Sequence, residues 1–123
     1  FMDYAGFSEE EAAEAVKYYR ERYNVTGIFE NQPYPGIKEL LEGLKEKGIM
    51  LAVASSKPDQ MVKIVLDHFH LDTYFDVIMG SDINRPKMTK AEVIFQVLEK
   101  MNCLDKREQA IMVGDRQYDV LGA

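Results

Sequence analysis

From Ile49 to Ala123 the chain alternates short apolar runs with stretches of helical periodicity, and few folds satisfy that alternation. Ile49–Ala54, Val77–Met79 and Ala110–Val113 are uninterrupted apolar runs, the pattern of strands buried on both faces of a parallel sheet. Between them lie a helix expected from Pro58 to about His68 and a second opened by Thr89, where Thr89 and Glu92 form a capping box. The second runs to about Met101 and turns Ile94, Val97, Leu98 and Met101 to one side. This order predicts an α/β fold, a parallel sheet with helices on both faces.

The chain before Ile49 reads as helical. Ser8 and Glu11 make a capping box for a helix expected over Ser8–Tyr23, with three acids in its first turn where the helix dipole favours them. Ala12, Val16, Tyr19 and Tyr23 form one stripe, read as packing surface. No strand precedes this helix, so it is expected to belong to a helical unit whose other members are not in this chain. Asn24–Tyr34 is a connector, and Pro35 is expected to open a helix to about Lys47, buried through Ile37, Leu40, Leu41 and Leu44 and ended by Gly48. The boundary is expected at Tyr34-Pro35-Gly36, giving residues 1–33 as helical unit and linker and 34–123 as part of a Rossmann-like α/β core.

Composition narrows the function classes. Fifteen basic against 21 acidic residues leave a net charge of −6, which argues against a nucleic-acid-binding surface and an anionic membrane partner. No apolar run approaches the roughly 18 residues of a membrane span, and no signal-peptide pattern opens the chain. The single cysteine, Cys103, cannot form an internal disulfide, which fits a reducing cytoplasm.

The polar residues that interrupt this pattern fall where open α/β sheets bind ligands, at the carboxyl ends of strands. Ser55 and Ser56 follow the first strand, Lys90 opens a helix, and Asp115 follows the third strand, with Asp119 four residues on. If the turn between the two acids is helical, their carboxylates share a face and call for a cation, for which magnesium is the usual choice. A hydroxyl and an ammonium can bind phosphoryl oxygens, and the helix amides after Ser55 and Thr89 would add to an anion site. Each residue alone has a plainer reading: Ser55 and Asp115 as helix caps, Lys90 and Asp119 as solvated charges. The ordered set favours function.

The stretches L-A-V-A-S-S-K-P, T-K-A-E-V-I and V-G-D-R-Q-Y-D-V-L-G-A occur in this order. Together they resemble the second, third and fourth motifs of the haloacid-dehalogenase-like (HAD) phosphatases, in particular the phosphoglycolate-phosphatase-like branch. The resemblance covers almost the whole chain. It implies that Ser55, with Ser56 beside it, binds the transferring phosphoryl group and that Lys90 holds nucleophile and phosphate, with Lys87 a weaker candidate. It also implies Asp115 as a Mg2+ ligand, Asp119 as the second acid of the metal site, and a helical cap of which residues 1–33 are the last part. The implied reaction is magnesium-dependent hydrolysis of a small phosphomonoester through an aspartyl-phosphate. A small phosphorylated metabolite such as phosphoglycolate is the leading substrate, with a nucleotide monophosphate or pyrophosphate next.

One departure matters most. The family's first motif, Asp-x-Asp, bears the nucleophile on a central strand, and no two aspartates in this chain lie two positions apart. Without that strand, Ile49–Ala54 and Ala110–Val113 would face a gap with unpaired backbone groups. The chain is therefore expected to be an internal piece of a longer protein and inactive alone. A catalytically inactive HAD-like binding module is the competing reading. A response-regulator receiver fits less well, because there the acid pair comes first and the lysine last. His68 and His70 are expected to be surface residues, since zinc wants three or four ligands. The seven methionines read as core filler. Arg85, Lys87 and Lys90 around Pro86 form a basic cluster that could draw in an anionic substrate.

Overall fold

The computed structural model describes residues 5–82, 84, 85 and 88–123, and divides into two compact units, Phe1–Gln32 and Pro33–Ala123. Pro86 and Lys87 of the basic cluster lie outside the described residues. Among the described residues, no helix is long and apolar enough to cross a membrane.

In the first unit, α1 (Glu9–Val25) starts as its capping box dictates. The Glu11 amide donates to Ser8 Oγ at 3.3 Å and the Ser8 amide donates to Glu11 Oε2 at 2.9 Å. Tyr19 and Tyr23 of the apolar stripe stack with centroids 5.3 Å apart. After the helix, a 3₁₀ turn at Gly27–Phe29 buries Ile28. The fork of Arg22 grips the Glu30 carboxylate at 2.7 Å, folding the turn back on the helix.

The second unit opens with a tight turn. Pro35 and Gly36 occupy its centre, with Gly36 at φ +82° and the Ile37 amide donating to Tyr34 O at 3.2 Å, the geometry of a type II turn. That turn delays α2 (Ile37–Glu46) by two residues relative to the expected start at Pro35. At its other end Gly48, at φ +72°, closes a Schellman motif: the Gly48 amide donates to Lys45 O and the Ile49 amide to Leu44 O. Ile49 is thereby spent on the helix end, and the strand expected from Ile49 begins later, as β1 (Ala52–Pro58).

β1 leads through α3 (Asp59–His68) to the parallel strand β2 (Val77–Ser81), with Ala52, Val53 and Ala54 opposite Val77, Ile78 and Met79. Asp76 locks the entrance: its carboxylate accepts from the Leu51 amide and from Lys45 Nζ, and its own amide donates to Leu51 O. α4 (Lys90–Lys100) is capped by Thr89 and Glu92 as expected. Its Val93 and Val97 bury Met79, with Ala52, Ala54, Val77, Met88 and Met101 packed around them. This is the core, and the α/β fold expected from the alternation is present.

The third expected strand is not. Among the described residues, 110–113 pair with no strand, and Ile111 and Val113 are 89% and 87% exposed. A strand exists only as part of a ladder, and among the described residues the sheet has two strands, with β1 paired only to β2. The chain then ends its described path in α5 (Gln117–Gly122). His70 has a plain structural role: at φ +55° it closes the Schellman motif of α3, as Asn102 at φ +53° closes that of α4.

Candidate active site

Two of the expected site residues, Lys90 and Asp119, meet in one ion pair. Lys90 stands at the first position of α4, directly after the Thr89 cap. Its Nζ donates to Ala54 O at 2.8 Å, the carbonyl just before Ser55, and lies 2.9 Å from Asp119 Oδ1. Both side chains of the ion pair are nearly out of solvent, 11% and 10% exposed. Asp119 is the only charged residue buried among the described ones. Its second oxygen accepts from the Arg116 amide at 3.1 Å. The Lys90 ammonium first, and then that amide, hold the Asp119 carboxyl below the usual carboxylate range.

Two glycines make room for this pair. A Cβ on Gly114 would overlap the Asp119 carboxylate, and one on Gly122 would come within 2.8 Å of Lys90 Cγ. Neither glycine, nor the carbonyl of Ala54, was expected as part of the site. The available signal was their position, since the two glycines bracket the D-R-Q-Y-D stretch on both sides.

Ser55 sits half-buried at the start of an arch in β1 and accepts from the Lys57 amide at 3.1 Å. That bond uses a lone pair of the hydroxyl and leaves its proton free to donate. Ser56 is exposed on the same arch. Arg85, from the basic cluster, is committed to Glu92 at 3.0 Å.

Asp115 is placed differently from Asp119. Arg116 is extended (φ −108°, ψ 147°) and α5 starts only at Gln117, so the helical face expected to carry both acids does not include Asp115. Asp115 is exposed and engages no group among the described residues. The described residues hold no group of three or more His, Cys, Asp or Glu side chains around one point. A hard divalent cation such as Mg2+ needs only one or two protein carboxylates, the rest being water and phosphate oxygen. Asp115 fits that requirement as an open carboxylate, whereas both oxygens of Asp119 are already engaged.

Residues 2–123 match the family model described as haloacid dehalogenase-like hydrolase. The chain belongs to that family. It is 42% identical over 123 residues to a 5'-nucleotidase of Pseudomonas aeruginosa, covering all of this chain and 55% of the relative. It is 36% identical over 107 residues to a phosphoglycolate phosphatase of Aquifex aeolicus, covering 87% of this chain and 49% of that one. Among solved structures, a predicted phosphatase from Clostridium acetobutylicum superposes with a TM-score of 0.86 at 47% identity, over all of this chain and 56% of its own. The HAD-like chain thus spans about half the length of these relatives. The fold is HAD-like.

Proposed function

We propose that this chain supplies half of the active site of a HAD-like phosphatase acting on small phosphomonoesters. The observation that carries this reading is the lysine clamp. Lys90 Nζ has three donors, of which Ala54 O and Asp119 Oδ1 take two, so one N–H remains for an anion beside the Ser55 hydroxyl. Asp119 fixes that ammonium in place, and Ser55 donates its free proton to a second phosphoryl oxygen. Together they stabilise the charge that spreads over the transferring group.

Asp115 is proposed as the Mg2+ ligand from this chain, with Asp119 supporting the site through Lys90. The ion, when bound, neutralises charge on the phosphoryl oxygens. The nucleophile is proposed to be an aspartate of an Asp-x-Asp strand outside this chain, seated between β1 and residues 110–113 and forming an aspartyl-phosphate that water hydrolyses. Residues 1–33 are proposed as the last part of a helical cap. Cys103, the sole cysteine, supports a reducing, cytoplasmic setting.

Phosphoglycolate is the leading substrate. A nucleoside monophosphate is the second reading, favoured by the 42% identity to a 5'-nucleotidase. The test is phosphate release from both compounds and from pyrophosphate, with and without Mg2+, by the protein carrying the upstream strand. Turnover that needs Mg2+ and falls by about 100-fold or more in Lys90→Met supports the reading. No turnover of any of them leaves the inactive binding module as the better account. The 123-residue chain alone is expected to release none.

A further inference from the structure

The arch that carries Ser55 interrupts the pairing of β1 with β2. β1 and β2 run in step as far as Ala54 opposite Met79, and pairing resumes at Pro58 opposite Ser81. Four residue steps on β1 therefore answer two on β2, and the surplus lifts Ser55, Ser56 and Lys57 out of the ladder. Bulges of this kind re-aim side chains at the rims of sheets.

Gly80 lies under the arch. A Cβ there would overlap Lys57 O and stand 2.6 Å from the amide nitrogen and Cα of Asp59, all backbone atoms that cannot rotate away. The Gly80 amide does not end in the strand ladder but on a side chain: it donates to Asp59 Oδ1 at 3.0 Å. Asp59 stands at the far foot of the arch, at the first position of α3, and its other oxygen meets Lys63 Nζ at 2.6 Å. The near foot is Ala54, whose carbonyl holds Lys90.

We infer that Asp59 and Gly80 are positioning residues, which together fix the height of the Ser55–Lys57 arch and so the place of the Ser55 hydroxyl relative to the Lys90 ammonium. The inference rests on the phosphatase reading for its catalytic consequence, but the mechanical part stands on the geometry alone. Asp59 touches no reacting atom. Its carboxylate spans from the first turn of α3 to β2 and closes the arch from below, and Gly80 is the residue small enough to let the arch come down onto β2. Lys63 steadies the carboxylate from the solvent side and is dispensable, since its partner is half-exposed there.

The experiment uses the protein carrying the upstream strand, with two readouts: turnover of p-nitrophenyl phosphate with Mg2+, and amide hydrogen exchange at Lys57 and Gly80. Val93 and Val97 in α4 serve as internal controls. In Asp59→Ala, exchange at Lys57 and Gly80 is expected to rise about tenfold or more while Val93 and Val97 stay unchanged. In the same variant kcat is expected to fall roughly ten- to hundredfold with KM moving less, the mark of a displaced catalytic group. Asp59→Asn keeps an acceptor for the Gly80 amide and is expected to rescue both readouts, and Lys63→Ala is expected to leave both near wild type. Gly80→Ala raises the arch without touching the carboxylate, and repeats the Asp59→Ala pattern even if that variant does not fold. Wild-type exchange at Lys57 and Gly80 in Gly80→Ala or Asp59→Ala overturns the proposal, as does unchanged kcat in a protein whose wild type turns over. A wild-type protein that releases no phosphate overturns the phosphatase reading instead, and the exchange readout then decides the arch by itself.

Discussion

Val77–Met79 and Ala110–Val113 carry the same message in sequence, a short apolar run between helical stretches, and meet opposite fates. Met79 is buried against Val93 and Val97, while Ile111 and Val113 are almost fully exposed. The difference is a partner. Val77–Met79 has β1 on one side and α4 above it, whereas residues 110–113 have no strand beside them among the described residues. The C-terminal segment even inverts the usual order, burying the charged Asp119 while Val120 and Leu121 are 76% and 80% exposed. An ion pair, not an apolar face, docks this segment on α4. Hydrophobic pattern therefore states what a segment can bury, and neighbours decide whether it does.

The largest effect in that comparison belongs to the proposed neighbour. With the proposed Asp-x-Asp strand present, the amides of Ile111–Val113 are expected to gain protection from exchange by a factor on the order of 10³ or more over the 123-residue chain. Equal, fast exchange in both proteins would remove the strand from the gap and with it the proposed seat of the nucleophile.

Next comes the buried side of the comparison. Met79→Ala opens a cavity under Val93 and Val97 and is expected to cost about 2–5 kcal/mol in denaturant unfolding. A cost near zero would mean that the two-stranded sheet and α4 form no cooperative core.

Asp119 supplies a pH signature for the inverted segment. Its carboxyl lies below the ordinary 3.8 in the folded protein because of Lys90 first and the Arg116 amide second. The unfolded chain therefore binds the proton more readily. The stability that Asp119 contributes is complete above its ordinary value and drains away as pH falls through the folded one. Asp119→Asn removes that titration, so its melting temperature is expected to fall less steeply than wild type between pH 5 and 3, as tracked by circular dichroism. Parallel acid limbs in the two proteins would show that the ion pair with Lys90 does not form in solution.

What the sequence made legible follows the range of the interactions involved. Both capping boxes, Ser8 with Glu11 and Thr89 with Glu92, are contacts across three residues and stand where the sequence placed them. The α/β alternation is a property of whole segments and was also readable. The start of β1 was misplaced because Ile49 serves a helix end, a demand that Gly48 announces but an apolar run conceals. The lysine clamp and the arch tie were harder still. Lys90 with Asp119, and Asp59 with Gly80, join residues about twenty or more apart, and nothing local in either stretch names its partner. Asp119 shows the consequence: the extended backbone at Arg116 leaves Asp115 outside α5, and the ion pair of Asp119 with Lys90 joins residues that no local spacing connects.

The smallest effect is also the sharpest test of what separates the two apolar runs. Val113 has 87% of its surface in solvent, so Val113→Ser in the 123-residue chain is expected to change stability by no more than about 0.5 kcal/mol. The same substitution in the protein with the upstream strand removes a buried valine side chain and is expected to cost about 1.5–3 kcal/mol. Only the neighbour differs between the two measurements, so their difference isolates what the proposed strand contributes at that position. If Val113→Ser costs the same small amount in both, residues 110–113 stay exposed with the strand in place, and Asp115 is not held at the end of a strand. A large cost in the short chain would mean instead that Val113 already finds a partner in solution, and the contrast with Met79 would vanish.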